Sequence, residues 1–315
     1  MLTAPLPMHI PDGFLSVLVS IILWMITLAV LAVALRRVSQ ELGEREVPVM
    51  GVLAAAIFAG QMLNFAVTGG TSGHLMGAAL ATILLGPWAS IIILTCVVSI
   101  QALIFQDGGL LALGANIFNM GIVGTLVAYA VITLFRRLAG EKRWGTLAGS
   151  FAAGWASIFI AALAVALQLA LSGTSPANLA LPAMAGIHAL IGVGEGLITL
   201  GAVSLVMTVR PAMLKGGAAG AGAKIGVWLA GGLITLALLV LAPLASSRPD
   251  GLEWVAEQVG FLDAARTPNL NIIPDYVLPG ISDTALATIL AGVVGVVIVV
   301  IVSLSIAYAR RKKNA

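Results

Sequence analysis

The 315-residue chain carries three histidines, His9, His74 and His188, and a single cysteine, Cys96. Imidazole is the commonest side-chain ligand of transition metals. His9 directly follows Met8. If Met8 began the mature chain, its terminal amine, the His9 amide nitrogen and the His9 Nδ1 would close two fused chelate rings around one ion. His74 would then supply a fourth nitrogen. Four nitrogens in a plane suit Ni(II) and Cu(II), and with an open axial position also Co(II). Binding would release protons, because the amine and the amide must lose theirs. His74 ends the stretch Thr68-Gly69-Gly70-Thr71-Ser72-Gly73, whose glycines accept positive φ and let backbone approach a site closely. Asn64, about one turn before this stretch, is expected to fix the imidazole or the loop backbone.

The carboxylates offer less. Asp12 lies in Pro11-Asp12-Gly13 and is expected to build a turn or cap the first helix, fixing the His9 backbone. Asp107, followed by Gly108 and Gly109, is expected in a turn or as an outer partner of the ligands. Hard oxygen ligands would weaken a preference for Ni²⁺ over Mg²⁺. His188 and Glu195 stand seven residues apart on one helical stripe, which reads as a buried His–Glu or Glu–backbone network for packing or gating. Cys96 lies in an apolar run, so it packs; a lone cysteine forms no intrachain disulfide. Pro-Asp-Gly recurs at Pro249-Asp250-Gly251, with unlike flanks, and reads as a second turn.

These residues need elements to hold them. Only 9% of the chain is charged and 60% is hydrophobic, with a mean hydropathy of +1.09. A water-soluble domain carries about 25% charged residues, so the composition excludes a soluble enzyme, a nucleic-acid-binding module and a disordered chain. It selects an all-α, polytopic membrane protein. Hydrocarbon about 30 Å thick takes roughly 20 apolar residues as helix. Runs of that kind predict nine spans, at 15–35, 48–68, 74–85, 88–105, 112–135, 144–171, 181–209, 225–245 and 283–309. The third and fourth come from one long run divided at Gly86-Pro87. With the N-terminus outside and the C-terminus inside, every lysine and arginine except Arg248 and Arg266 falls on the cytoplasmic side, as the positive-inside rule requires. The first run has no basic residue before it and reads as a retained helix. Three parts follow: a seven-helix region at 8–210, a Gly/Ala-rich cytoplasmic linker at 211–224, and a helical hairpin at 225–315 whose outer loop is 246–282.

Met-His-Ile-Pro-Asp-Gly-Phe-Leu-Ser at 8–16, Gly-Gly-Thr-Ser-Gly-His-Leu at 69–75, Gln-Asp-Gly-Gly-Leu-Leu-Ala-Leu-Gly-Ala-Asn at 106–116 and His-Ala-Leu-Ile-Gly-Val-Gly-Glu-Gly at 188–196 resemble the substrate-specific membrane component of cobalt and nickel energy-coupling-factor transporters. The hairpin, with Arg-Pro-Asp-Gly-Leu-Glu at 248–253, resembles the small accessory component of the same transporters. The resemblance implies high-affinity capture of Co²⁺ or Ni²⁺ at the cell membrane. It also implies metal held by an N-terminal amine, by the amide and side chain of the second residue, and by a histidine in the glycine-rich loop; these fall on Met8, His9 and His74. Seven residues, MLTAPLP, precede Met8, so a free amine there requires an internal start or removal of the extension, and an internal start is the expectation. The partners implied are a transmembrane coupling subunit and two cytoplasmic ATPase subunits, with the ion as cargo and no prosthetic group. In keeping with separate ATPases, no GxxxxGK[ST] phosphate loop occurs in the sequence. Two other readings are weaker. An intramembrane metallohydrolase would need a helix-borne pair such as HExxH, which is not there. An autonomous secondary cation transporter would tend to show inverted repeats, and Glu195 alone hints at one.

Overall fold

A computed structural model describes residues 8–41, 46–140, 142–209, 211, 221–266, 270 and 272–310. The protein is a helical bundle. Among the described residues seven helical segments are long and apolar enough to cross a membrane, between Val17–Gln40 and Thr284–Ala309. In chain order the elements are α1 (Val17–Glu41), α2 (Glu46–Gln61), strands β1 (Phe65–Val67) and β2 (Thr71–Gly73), α3 (Ala78–Leu85), α4 (Pro87–Phe105), α5 (Leu113–Asn116), a π-helical stretch (Ile117–Val123), α6 (Gly124–Ala139), α7 (Arg143–Leu171), α8 (Ala177–Val209), α9 (Ala221–Leu241), α10 (Gly251–Val259) and α11 (Thr284–Arg310).

Apolar sequence alone makes these helices, and special residues end them. Ser16 accepts the Val19 amide through Oγ and so caps α1; Asp12 does not take that role. Gly86, at φ 82°, separates α3 from α4, and Pro87 opens α4 where its missing N–H is no loss. α4 is the central helix: 72% of its apolar window is buried, against 22% for α1. Val17, Leu18, Ile21 and Met25 of α1 are exposed, as residues facing lipid must be. α7 and α8 pair closely because Gly154 and Gly196 leave no side chain between them. A Cβ on Gly154 would lie 3.0 Å from the Glu195 carbonyl oxygen, and one on Gly196 would lie 2.9 Å from that of Phe151.

Two of the nine expected spans are shorter than expected. The run at 48–68 leaves helix at Gln61 and turns into an antiparallel β-hairpin that pairs Phe65 with Gly73 and Val67 with Thr71. Gly69 and Gly70 carry φ of 93° and 87° at its turn, conformations that glycine takes without strain. The run at 74–85 is helical only over α3, eight residues and so about 12 Å long, too short to cross alone. Residues 74–77 descend as irregular backbone, which is stable in such surroundings only where its polar groups find partners inside the protein. Glu195 of α8 supplies them: its carboxylate accepts the Met76 amide at 2.7 Å and the Gly77 amide at 3.0 Å. Gln61 Nε2 donates to the Met76 carbonyl at 2.9 Å.

α9 and α11 lie against α2, and α11 also touches α4. The segment between them folds over the end of the bundle that holds the N-terminal residues. There Ser246 N donates to Asn64 O at 2.8 Å, Ser72 N to Pro249 O at 2.8 Å, and Ile273 N to Ile104 O at 2.9 Å. Arg266 N donates to Asp12 O at 2.7 Å, forming an isolated antiparallel bridge. Most of the expected linker at 211–224, and the extension Met1–Pro7, lie outside the described residues.

Candidate metal centre

All three histidines line one cavity of about 80 Å³ at this end, together with Met8, Asn116, Asn119 and Asp250. They reach it from different elements. His9 comes from the extended segment before α1, His74 from the descent after β2, and His188 from the fourth turn of α8. The His9 and His74 rings lie edge to face with centroids 5.8 Å apart, a separation at which one ion, about 2 Å from a nitrogen of each, can be shared.

The N-terminal segment is fixed by Asn116 and Asp107. Asn116 Oδ1 accepts the Ile10 amide at 3.0 Å and its Nδ2 donates to the Ile10 carbonyl at 3.1 Å. Gly109 N donates to the same carbonyl at 2.9 Å. One residue upstream, three nitrogens converge on a single atom. Asp107 Oδ1 accepts the Met8 amide at 2.6 Å and the His9 amide at 3.2 Å, and lies 2.9 Å from His9 Nδ1. The direction of an N–H is the direction of the lone pair left when its proton departs. Met8 N, His9 N and His9 Nδ1 are therefore aimed at one point, the geometry that fused chelate rings demand.

Charge and burial tune these groups. Burial lowers the proton affinity of His9, yet the carboxylate of Asp107 beside it outweighs that, and the pKa is raised. Asp107 is fully buried, which alone would raise its pKa; His9 and the hydrogen bonds from Tyr276 and Met8 bring it down to about 2. Burial, helped by the neighbouring His9 charge, pushes His74 down to about 4, so its imidazole is neutral. His74 Nδ1 donates to the Leu75 carbonyl at 3.0 Å, which leaves Nε2 with the free lone pair a metal ligand needs. His188 Nδ1 likewise donates to Met184 O at 2.9 Å.

Several expected site residues have other partners. Both side-chain atoms of Asn64 are buried with no hydrogen-bond partner among the described residues, so Asn64 holds neither imidazole nor loop by its side chain; its carbonyl takes Ser246 N instead. Asp12 accepts Leu110 N at 3.1 Å and Ala112 N at 2.9 Å, and so ties the approach to α5 rather than α1. Of the two networks expected for His188 and Glu195, the structure has the Glu–backbone one: Glu195 bonds the backbone before α3, while His188 faces the cavity. The second Pro-Asp-Gly is a helix cap, with Asp250 Oδ1 accepting Glu253 N at 2.7 Å. Asp250 also looks into the cavity, and burial with the nearby Glu253 charge raises its pKa to about 7. The sequence singled out neither Asn116, Asn119, Tyr276 nor Gln168, whose amide pairs reciprocally with that of Asn119 at 2.8 and 2.7 Å.

Among the described residues no three His, Cys, Asp or Glu side chains stand together closely enough to hold an ion. The backbone nitrogens of Met8 and His9 are further donors at this place.

Comparison with known proteins agrees along most of the chain. Residues 9–213 match the family model described as the cobalt uptake substrate-specific transmembrane region, and residues 225–312 match the PDGLE domain. A chain of Archaeoglobus fulgidus that carries the name fused nickel transport protein NikMN is 38% identical, over 96% of this chain and 99% of its own. The fused nickel transport protein NikMN of Rhodobacter capsulatus is 34% identical over 79% and 76%. The cobalt transport protein CbiM of Sorangium cellulosum is 37% identical over 53% and 76%. The crystal structure of a truncated transition-metal transporter superposes with a TM-score of 0.57 at 36% identity, covering 64% of this chain and 99% of that one.

Proposed function

Because the chain belongs to the cobalt-uptake substrate-specific transmembrane family, with a PDGLE domain in the same polypeptide, we propose that it captures one Co²⁺ or Ni²⁺ ion at its outward end through nitrogens of Met8, His9 and His74. It is a multi-pass membrane component of cobalt or nickel transport, not an enzyme. The observation that carries the ligand assignment is the convergence of Met8 N, His9 N and His9 Nδ1 on one point, with the His74 ring 5.8 Å from that of His9. Nitrogen donors and an apolar wall favour a borderline transition ion over Mg²⁺ or Ca²⁺. The ion takes the place of the protons that the nitrogens lose, and the Asp107 carboxylate stays facing it as a counter-charge. Full four-nitrogen ligation requires a free amine at Met8.

In this reading the ion is cargo. A transmembrane coupling subunit and two cytoplasmic ATPase subunits drive the reorientation that delivers it, and the hairpin acts from the outer side. Metal analysis of the purified protein tests the ligand set, with mass spectrometry of its N-terminus. His9→Ala and His74→Ala are each expected to weaken binding by more than the roughly 100-fold that changes to outer partners reach. Unchanged bound metal in both variants overturns the assignment. Uptake that persists in cells lacking the coupling and ATPase subunits overturns the proposed division of labour.

A further inference from the structure

The two carboxylate oxygens of Asp107 face two different parts of the chain. Oδ1 takes the Met8 and His9 nitrogens, while Oδ2 accepts the hydroxyl of Tyr276 at 2.6 Å. Tyr276 lies 169 residues away, in the outer loop of the C-terminal hairpin. It is completely buried. Its ring stacks on Phe105 with centroids 4.7 Å apart and planes 10° from parallel, and Phe58 lies against it at 6.4 Å. Phe105 is the last residue of α4, two positions before Asp107. The backbone at Asp275 and Tyr276 has φ of 51° and 56°, a left-handed conformation uncommon outside glycine. Such backbone persists only where its surroundings over-determine it, and here a stacked ring and a buried hydroxyl bond do so.

We propose that Tyr276 is a positioning residue of the metal centre: its hydroxyl turns the Asp107 carboxylate so that Oδ1 faces the Met8 and His9 nitrogens, and through it the hairpin sets how tightly the seven-helix region holds its ion. This rests on the reading that Met8 and His9 are ligands. The torsion that turns a carboxylate is soft, with broad wells. Backbone amides on one oxygen leave the group free to swing, whereas a second donor on the other oxygen fixes its plane. A hydroxyl on a buried carboxylate is among the stronger donors for this purpose, and an ionised carboxylate can only accept. Without the hydroxyl the oxygen that gathers the three nitrogens is free to turn, while the segment as a whole stays tied through Asn116, Gly109 and Arg266. Tyr276 itself bonds none of the three nitrogens, so it acts through Asp107.

The test is a double-mutant cycle on the full chain, titrating Ni²⁺ in competition with a chromophoric chelator and recording the visible absorption of the bound ion. Tyr276→Phe keeps the stacked ring and removes only the hydroxyl. It is expected to weaken Ni²⁺ binding about tenfold, the lower end for loss of an outer hydrogen bond, with the absorption band in place because the ligands are the same. In an Asp107→Asn background the same substitution is expected to add less than twofold. A Tyr276→Phe protein within twofold of wild type, a tenfold loss repeated in the Asp107→Asn background, or a displaced absorption band would each overturn the inference. Ni²⁺ held as tightly by His9→Ala as by wild type would overturn the ligand reading and this inference with it. Normal dependence on His9 with an unaffected Tyr276→Phe would overturn this inference alone.

Discussion

At the end that holds the N-terminal residues the backbone leaves helical geometry between residues 8 and 16, 62 and 77, and 245 and 250, and buried polar groups tie the strands of chain to one another. Where the hairpin helices α9 and α11 meet α2, the surfaces are apolar instead, and Val52, Ala55, Trp228, Leu236, Leu239 and Val297 line a gap of about 240 Å³. Hydrogen bonds have direction, so the first region fixes atoms in place; apolar packing has none, so the second fixes only proximity. The hairpin thus joins the bundle twice, by apolar contact between its helices and by hydrogen bonds through its outer loop. Apolar contact keeps helices together in lipid. A tight loop can place a carboxylate.

Substitutions on the two sides of this contrast separate them. The largest effect is expected from Glu195→Ala, which strips the acceptor from two buried amides; at about 1–3 kcal/mol for each group left unpaired, a loss near 3 kcal/mol in detergent-solubilised unfolding is expected. A loss below about 1 kcal/mol would mean that the descent before α3 finds other partners and that its polar ties matter less than drawn here. Gly251→Val comes next. Its Cβ would sit 2.7 Å from Ile191 Cδ1 and 2.8 Å from His188 Cε1, so the loop must lift from α8 at a cost of about 1–3 kcal/mol. Calorimetric metal titration is expected to show weakened binding while the seven-helix region remains folded by circular dichroism. Undiminished affinity would show that the loop need not sit tightly. The smallest effect is Gly232→Ala in α9. Nothing lies within 4 Å of the added Cβ, which points into open space by the gap; helix propensity alone then stabilises by up to about 1 kcal/mol. Metal affinity is expected to stay at the wild-type value, and a change would couple the seam to the ion after all.

Much of the helical frame is legible in the chain as apolar runs, including the break at Gly86-Pro87. The stretch 62–77 is where the runs mislead. Phe65-Ala66-Val67 is as apolar as any helix, and only Gly69-Gly70 between β-branched neighbours marks a hairpin. Periodicity cannot tell a buried strand from a buried helix over so few residues. In the candidate metal centre, His9, His74 and Asp107 stand out because titratable groups are scarce in such a sequence. Asn116 and Tyr276 do not, since their partners lie 106 and 169 residues away and no local pattern encodes that. The role of Asn64 fails for the complementary reason: nearness in sequence suggested a contact that the hairpin turn carries elsewhere.

The π-helical stretch Ile117–Val123 sits between Asn116, which clamps Ile10, and α6, which continues through the bundle. A π turn spends about one residue more than an α turn. Winding the same seven residues as ordinary α-helix, at about 100° each rather than roughly 80°, would rotate everything after them by more than about 100° relative to what precedes them. Asn116 would keep its grip on the N-terminal segment while the far half of the helix dialled its apolar face away from α7. That surplus residue is a phase shifter, letting one continuous rod present amides to the histidine-lined cavity at one end and oily side chains to its neighbours beyond.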